Sequence, residues 1–349
     1  MYHAFFGLQR DAFSMTPDPS FLFFTDKHRE ALAGLLFAVS SRKGFLVLTG
    51  DAGTGKTTLL SRIMRSMPPE KAHFSFVLNP TLTAPEFLEM ILLDFGVEKV
   101  PDSKSQRLML LQQMLLRSHR DGKTAVLIID EAHKLTTELL EEIRLLTNFE
   151  TAEHKLLQII LAGQTELTEL LNREELRQLK QRIAVRVGVS ALSISEVSQY
   201  VQSRWTRAGA ISDLPFTPEA LRLIADYSRG VPRVINAICD NSLMNAFGDD
   251  TRVIEPRHIL EVASDLQLKQ NGNGNLLTSA GGGLNRAALK AFADPMPAPA
   301  TLRAVPELTP PGLPQLEDPP AVSFKTLERY MPIRRKNSRW IFNIRRLKG

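Results

Sequence analysis

The sequence contains a single cysteine, Cys239, among its 349 residues. One cysteine excludes an internal disulfide framework and any zinc site built from several cysteines, and it is typical of proteins in a reducing compartment. No stretch of about 18 apolar residues occurs, so no transmembrane helix is predicted. Residues 1–10 lack the basic segment and apolar run of a signal peptide. The predicted location is therefore the cytoplasm.

A large excess of one charge is also absent. The formal net charge is +5, and 23% of the residues are charged, which is ordinary for a soluble protein. Hydrophobic residues make up 43% of the sequence, enough for a core. A chain of 349 residues can form two domains or one domain with a long tail. These totals leave the function open.

The composition changes near Gln270. Asparagine and glycine dominate residues 271–283, and nine prolines follow between 295 and 320. Such a segment buries too little apolar surface to offset the entropy lost on ordering. We therefore predict a disordered linker over 271–321, followed by a basic amphipathic tail over 322–349.

Short apolar stretches alternate with helical patterns in the first 190 residues. The predicted strands are 45–49, 74–78, 125–129, 156–162 and 183–189. The predicted helices between them are 57–67, 84–95, 105–119 and 137–148. After Ser190 the patterns are only helical, at 195–208, 217–228, 232–247 and 255–267. This predicts an α/β domain over 1–190, with a mostly parallel sheet between two helical layers, and a small helical domain over 191–270.

A phosphate-binding loop follows the first predicted strand. It reads Gly50, Asp51, Ala52, Gly53, Thr54, Gly55, Lys56 and Thr57, a full match to G-x-x-x-x-G-K-S/T. The glycines let backbone N–H groups point at phosphate oxygens, and the following helix adds its positive end. Lys56 supplies a charge to the β- and γ-phosphates of ATP, the Thr57 hydroxyl is placed to bind Mg²⁺, and Thr58 is a further predicted nucleotide contact.

The third predicted strand, 125–129, is apolar throughout and ends in Asp130 and Glu131. An aspartate at this strand end can hold Mg²⁺, and the adjacent glutamate can act as the general base that activates water. Solubilising acids at a strand end are the alternative. Residues 130–133 also spell a helicase tetrapeptide, but no second motor domain follows. His133 is either a local contact or a relay that senses the γ-phosphate.

These motifs sit in a recognisable context. The relevant stretches are FGL at 6–8, PDP at 17–19, HREAL at 28–32, KGFLVLTG at 43–50, DEAHKL at 130–135, RLLTNFE at 144–150, LLQIILAGQ at 156–164 and LKQRI at 179–183. Together they resemble the general secretion pathway protein A (ExeA-like) family of AAA+ ATPases over about residues 1–270. The sequence is similar, more distantly, to transposition ATPases and origin-recognition ATPases. The resemblance implies a P-loop NTPase of the AAA+ type with a helical lid, working as an oligomer.

The resemblance also implies roles for three further residues. Gln164 ends the fourth predicted strand, where the family has its first sensor near the γ-phosphate. Arg182 lies where an arginine finger acting on a neighbouring subunit is expected. Arg233 matches the second sensor on the lid. The alternative for Arg182 is a surface ion pair, because other arginines lie nearby, at 173, 177 and 186.

Five aromatic residues near the N-terminus are predicted to be mostly core, with one or two available to line the adenine. They are Phe5, Phe6, Phe13, Phe21 and Phe23.

The C-terminal tail departs from the family. The best-known relatives continue into a transmembrane helix and a periplasmic peptidoglycan-binding module, which this sequence does not contain. Instead, nine basic residues face one acid, Glu328; they are Lys325, Arg329, Arg334, Arg335, Lys336, Arg339, Arg345, Arg346 and Lys348. This tail has three interpretations. It is a docking peptide for a protein partner, it attaches to anionic lipid at the inner membrane, or it binds nucleic acid with stacking on Trp340.

Three functions are compatible with the sequence. The first is an oligomeric ATPase, dependent on ATP and Mg²⁺, that assembles or regulates a cell-envelope machine for secretion, pili or polysaccharide export, with a protein of that machine as partner. The second is an ATP-switched DNA-binding regulator of the transposition type. The third is an interaction module that binds nucleotide but barely hydrolyses it.

Overall fold

The structure is a computed structural model that describes residues 2–16, 18, 21, 23–78 and 80–270. The linker predicted over 271–321 and the basic tail predicted over 322–349 lie outside the described residues. The boundary predicted between 190 and 191 stays a prediction.

A parallel sheet forms the centre of the fold. Its strands are β1 (Phe45–Thr49), β2 (Ala72–Val77), β3 (Thr124–Ile129), β4 (Leu157–Gly163) and β5 (Ile183–Gly188). They are arranged in the order β2-β3-β4-β1-β5, and every neighbouring pair is parallel. All six residues of β3 are buried, as expected for a central strand covered on both faces. The predicted mostly parallel α/β fold is confirmed.

Helices cover both faces of this sheet and continue beyond it. In the first part of the chain they are α1 (Tyr2–Phe6), α2 (Asp26–Ser40), α3 (Lys56–Ser66), α4 (Ala84–Asp94), α5 (Lys104–Arg120), α6 (Thr137–Leu146), α7 (Glu166–Leu171) and α8 (Arg177–Lys180). The later helices are α9 (Ile194–Arg207), α10 (Pro218–Ser228), α11 (Pro232–Gly248) and α12 (Pro256–Asp265). The last three each have proline in the first turn, where the missing N–H costs nothing.

The side chains of β1 show how the three layers are held together. Phe45 and Val47 belong to the buried cluster on the face that α4, α5 and α6 cover. Leu46 and Leu48 belong to the cluster on the opposite face, together with residues of α2 and α3. Successive side chains of a strand point to opposite faces, so an apolar strand fills two cores at once.

A third buried cluster unites the last four helices with the N-terminal segment. Phe6 packs edge-to-face on Trp205 with ring centroids 6.2 Å apart, and Phe13 packs on Phe216 at 6.0 Å. The buried Arg204 donates from Nε to the Ala12 carbonyl oxygen at 2.6 Å. Residues 2–13 therefore pack with the helical part, although the sequence-based division places them in the nucleotide-binding domain. Pairings between such distant segments cannot be deduced from local patterns.

The main difference from the predicted elements is that the structure contains further helices. Helix α2 was not predicted, and it begins at a regular cap in which the Thr25 hydroxyl accepts a hydrogen bond from the His28 N–H. The short helices α1, α7 and α8 were not predicted either, because few residues carry their periodicity. None of the helices within the described residues is long and apolar enough to cross a membrane.

Replacing Phe13 with alanine should lower the free energy of unfolding by about 3–5 kcal/mol, because the ring is fully buried and leaves a cavity. Phe37 is the matched control: its side chain is 64% exposed, so Phe37→Ala should change stability by no more than about 0.5 kcal/mol. Urea unfolding followed by circular dichroism measures both. Equal losses in the two variants would contradict the packing described for the N-terminal segment.

Candidate nucleotide-binding site

The loop between β1 and α3, residues 50–55, is held by contacts that require glycine. A Cβ at Gly50 would lie 2.3 Å from the Val189 carbonyl oxygen, so no side chain fits there. Gly53 and Gly55 have φ of 79° and 100°, a region that residues with a Cβ rarely adopt. The resulting turn leads directly into the N-terminus of α3, which is a favourable position for an anion.

Lys56, the first residue of α3, folds back across the loop. Its Nζ donates to the carbonyl oxygens of Gly50 at 2.8 Å and Asp51 at 2.9 Å. The residue is only 6% exposed. Burial lowers the pKa of Lys56, while the nearby carboxylates of Asp130 and Glu131 partly oppose this shift. The ammonium group therefore lies inside the loop that would enclose a phosphate, close to two carboxylates.

Thr57 and Asp130 meet at the ends of α3 and β3. The Thr57 hydroxyl donates to Asp130 Oδ2 at 2.7 Å, and Asp130 Oδ1 accepts from the Glu131 N–H at 2.9 Å. The Asp130 N–H donates to the Val77 carbonyl oxygen at 2.9 Å, which extends the pairing of β2 and β3. A hydroxyl and a carboxylate at this distance are the oxygen ligands that Mg²⁺ prefers beside a phosphate, so the two residues fit that ion.

Glu131 and Gln164 are connected through His133. Glu131 has φ of 55°, which is uncommon for a residue with a side chain and often marks a functional position. Its carboxylate lies 3.1 Å from Lys134 Nζ and 3.8 Å from His133 Nε2. The Gln164 N–H, at the end of β4, approaches His133 Nδ1 at 3.4 Å. The predicted base and the predicted first sensor therefore contact the same imidazole.

The helical part formed by α9 to α12, which corresponds to the predicted lid, brings Arg233 to the same loop. This residue lies in the first turn of α11, and a Cβ built on Gly53 would be 3.0 Å from the Arg233 Cβ. The structure thus places the loop, Asp130, Glu131, Gln164 and Arg233 around one region, although these residues come from four separate segments.

Arg182 is not part of this group. It immediately precedes β5, at the end of the sheet opposite the phosphate-binding loop, since β5 runs parallel to β1. Its guanidinium Nη1 donates to Thr147 Oγ1 and to Asn148 Oδ1, both at 2.6 Å. Arg182 therefore cannot reach the nucleotide site of its own chain without a large rearrangement.

One further residue, His28, contacts the loop although the sequence did not predict it as part of the site. His28 on α2 is 8% exposed, and its Nε2 lies 3.2 Å from the Thr54 carbonyl oxygen. Its Nδ1 lies 2.7 Å from the hydroxyl of Thr25. The start of a helix at Thr25 and Asp26 was the available signal, but the approach of α2 to the loop is a tertiary contact.

Comparison with known proteins agrees with this geometry. The AAA domain family matches residues 39–171. The Aeropyrum pernix ORC2 protein in its ADPNP–ADP complexes has the same fold, with a TM-score of 0.56 and 17% identity over 78% of this chain and 75% of that one. Drosophila ORC bound to DNA has a TM-score of 0.58 and 18% identity over 75% of this chain and 65% of that one. The described part of this chain therefore has the fold of the AAA+ P-loop proteins, with an AAA domain over residues 39–171.

A curated protein shows a closer similarity in sequence. General secretion pathway protein A of Aeromonas hydrophila is 42% identical over 248 residues, which are 71% of this chain. The resemblance inferred from the motifs is thereby confirmed for this part of the chain. The match covers 45% of that protein, so this chain corresponds to less than half of the relative's length.

Thr57→Ala should lower ATP hydrolysis about 10- to 100-fold, because it removes both the hydroxyl that holds Asp130 and a candidate ligand of Mg²⁺. The Mg²⁺ concentration needed for half-maximal rate should rise. Ser61→Ala is the control, since the Ser61 hydroxyl lies on the same helix and donates only to the Thr57 carbonyl oxygen. If both variants hydrolyse ATP alike, Thr57 does not act at the metal.

Proposed function

We propose that this protein hydrolyses ATP with Mg²⁺ as an oligomer and uses the cycle to assemble or regulate a cell-envelope machine. The proposal of ATP hydrolysis is supported by the 2.7 Å contact between the Thr57 hydroxyl and Asp130, which lies beside the buried Lys56. This contact joins the phosphate-binding loop to the acidic end of β3, so one triphosphate and its metal can touch both.

Each residue then has a distinct role. Lys56 and the N–H groups of residues 50–57 bind the phosphates, with Thr58 as a further contact. Thr57 and Asp130 hold Mg²⁺, which neutralises charge on the phosphoryl group when it is bound. Glu131 orients and deprotonates the attacking water, and Gln164 positions it. On the lid, Arg233 contacts the phosphates and ties the lid to the nucleotide state.

The envelope role is supported by the relative. General secretion pathway protein A shares 42% identity over 248 residues of this chain. We infer that the partner is a protein of such an apparatus and that this chain works at the cytoplasmic side of the inner membrane. Because the match covers only 45% of the relative, the remaining part of that protein gives no support here.

The oligomer is proposed from the position of Arg182. Strands of the sheet rise about 3.3 Å per residue, so six residues of strand separate Arg182 from its own loop by about 20 Å. An arginine that neutralises charge on the phosphoryl group must contact it. Arg182 therefore serves the site of a neighbouring subunit, and an isolated chain lacks a complete site.

Glu131→Gln should bind ATP normally but hydrolyse it about 10²–10⁴-fold more slowly, because the amide cannot accept the proton of the water. Lys56→Ala should lose binding as well as hydrolysis. Glu138→Gln, an exposed glutamate on α6, is the control and should behave like the parent. ATP affinity and phosphate release measure the two effects. Parental rates in both Glu131→Gln and Lys56→Ala would refute the hydrolytic proposal.

Arg182→Ala should reduce the rate by about 10³-fold or more while the affinity for ATP stays close to that of the parent. Mixing the Arg182→Ala and Lys56→Ala proteins should restore activity. In a mixed oligomer, the intact phosphate-binding loop of an Arg182→Ala subunit lies next to the intact Arg182 of a Lys56→Ala subunit. Arg186→Ala, which changes an exposed arginine within β5, is the control. Failure of the mixture to exceed the sum of its components would argue against action between subunits.

A further inference from the structure

A row of cations and imidazoles crosses the end of the sheet opposite the nucleotide site. Its members come from segments that precede or open the strands, and they are Arg42 before β1, His73 in β2, His119 at the end of α5, Lys123 before β3 and His154 before β4. Arg42, His73, His119 and Lys123 are half-buried, and His154 is exposed.

Direct contacts make this row continuous. Arg42 Nη1 donates to His119 Nδ1, and Arg42 Nη2 donates to the Lys123 carbonyl oxygen at 3.2 Å. Lys123 Nζ donates to His73 Nε2 at 3.2 Å. The rings of His119 and His154 have centroids 5.9 Å apart. The positive groups are thus fixed in place by imidazole and carbonyl acceptors.

The charge of the row is not balanced locally. Within the described residues, neither Arg42 nor Lys123 forms an ion pair with a carboxylate; both donate to neutral acceptors instead. Two acids are near enough to act on the histidines, Asp121 on His73 and Glu153 on His119. Further cations flank the row on exposed positions, and they are Lys43, Lys71 and Arg120.

The two half-buried histidines of the row, His73 and His119, have lowered pKa values, which favour their neutral forms. Burial and then Lys123 lower the pKa of His73, while Asp121 opposes them. Burial, Arg42 and His154 lower the pKa of His119, while Glu153 opposes them. A bound anion would reverse this preference, because it favours the protonated imidazole. Protonation also releases Arg42 and Lys123 from the ring nitrogens that accept their hydrogen bonds, so both cations become available to the anion. Anion binding should therefore strengthen as the pH falls through the range in which these histidines gain protons.

We propose that this row binds the phosphodiester backbone of a nucleic acid. Neighbouring strands lie about 4.8 Å apart, so a row that crosses three to four strands spans about 10–14 Å. A single small anion covers one point of such a row, whereas a chain of phosphates pairs with successive cations. The row thus provides a second ligand site, separate from the ATP site.

An anionic membrane fits the row less well. Stable attachment to a bilayer combines basic charge with buried apolar groups. Within the described residues, no exposed large apolar side chain lies in the segments that build the row, which are 41–44, 71–73, 117–124 and 150–156. The nearest along the chain are Phe37, Leu78 and Leu145, which lie four or five residues outside these segments.

The test uses the full chain and a fluorescent DNA duplex whose binding is followed by anisotropy. The double variant Arg42→Gln/Lys123→Gln should bind about tenfold more weakly at moderate salt. The slope of log affinity against log salt should become shallower by about 1.8, or 0.9 for each lost phosphate contact. The control Arg222→Gln/Lys269→Gln removes the same charge from exposed positions in the helical part that follows β5, and it should bind like the parent.

Protonation separates the row from the basic tail, because residues 322–349 contain no histidine. Affinity of the parent for DNA should rise as the pH is lowered from 8 to 5.5. His73→Gln/His119→Gln should match the parent at pH 8 and lose most of this rise. An unchanged pH dependence in that variant would overturn the role given to the histidines.

Three outcomes would overturn the proposal as a whole. The first is equal DNA affinity of Arg42→Gln/Lys123→Gln and its charge-matched control. The second is an equal loss in Arg42→Lys/Lys123→Arg, which keeps both charges. The third is weaker binding to phosphatidylglycerol vesicles with DNA binding intact, which makes the row a lipid site. Basal ATP hydrolysis should be unchanged in all these variants, so the result is independent of the proposed ATPase mechanism.

Discussion

The contact between the Thr57 hydroxyl and Asp130 depends on the parallel arrangement of the sheet. The two residues are 73 positions apart in the chain, yet their oxygens lie 2.7 Å from each other. In the order β3-β4-β1, the carboxyl ends of three adjacent strands carry Asp130, Gln164 and the phosphate-binding loop. An antiparallel strand at any of these places would move its residue to the far end of the sheet. The chemistry proposed for the site follows from this shared direction.

The phosphate-binding loop is also the point where separate parts of the fold meet. The carbonyl of Val189 fills the space beside Gly50, His28 bonds the carbonyl of Thr54, and Arg233 of the lid lies over Gly53. The segment before α2 packs among the lid helices, with Phe23 edge-to-face on Tyr200 at 5.7 Å. The lid therefore reaches the loop by two routes, directly through α11 and indirectly through the N-terminal segment. A change of lid position would act on the loop through both.

The two ends of the sheet differ in charge. Carboxylates and the loop occupy the carboxyl ends of the strands, whereas Arg42, Lys123 and three histidines occupy the other end. Within the described residues, Arg42 and Lys123 form no ion pair with a carboxylate. The separation places them about 17–20 Å from Asp130 and Glu131, given the rise of about 3.3 Å per residue in strands of five or six residues. Two anionic ligands could therefore be bound at once without sharing a side chain.

Local patterns in the sequence determined the strands, the longer helices after Gly50, the glycine loop and the acid pair after β3. Each depends on neighbouring residues: an apolar run buried on both faces, a proline in a first turn, or a loop that only glycine can form. Tertiary structure alone decided that residues 2–13 pack with the lid, that His28 contacts the loop, and that Arg182 faces away from its own nucleotide site. These outcomes depend on contacts between distant segments, whose free energy comes from shared burial that no single segment encodes.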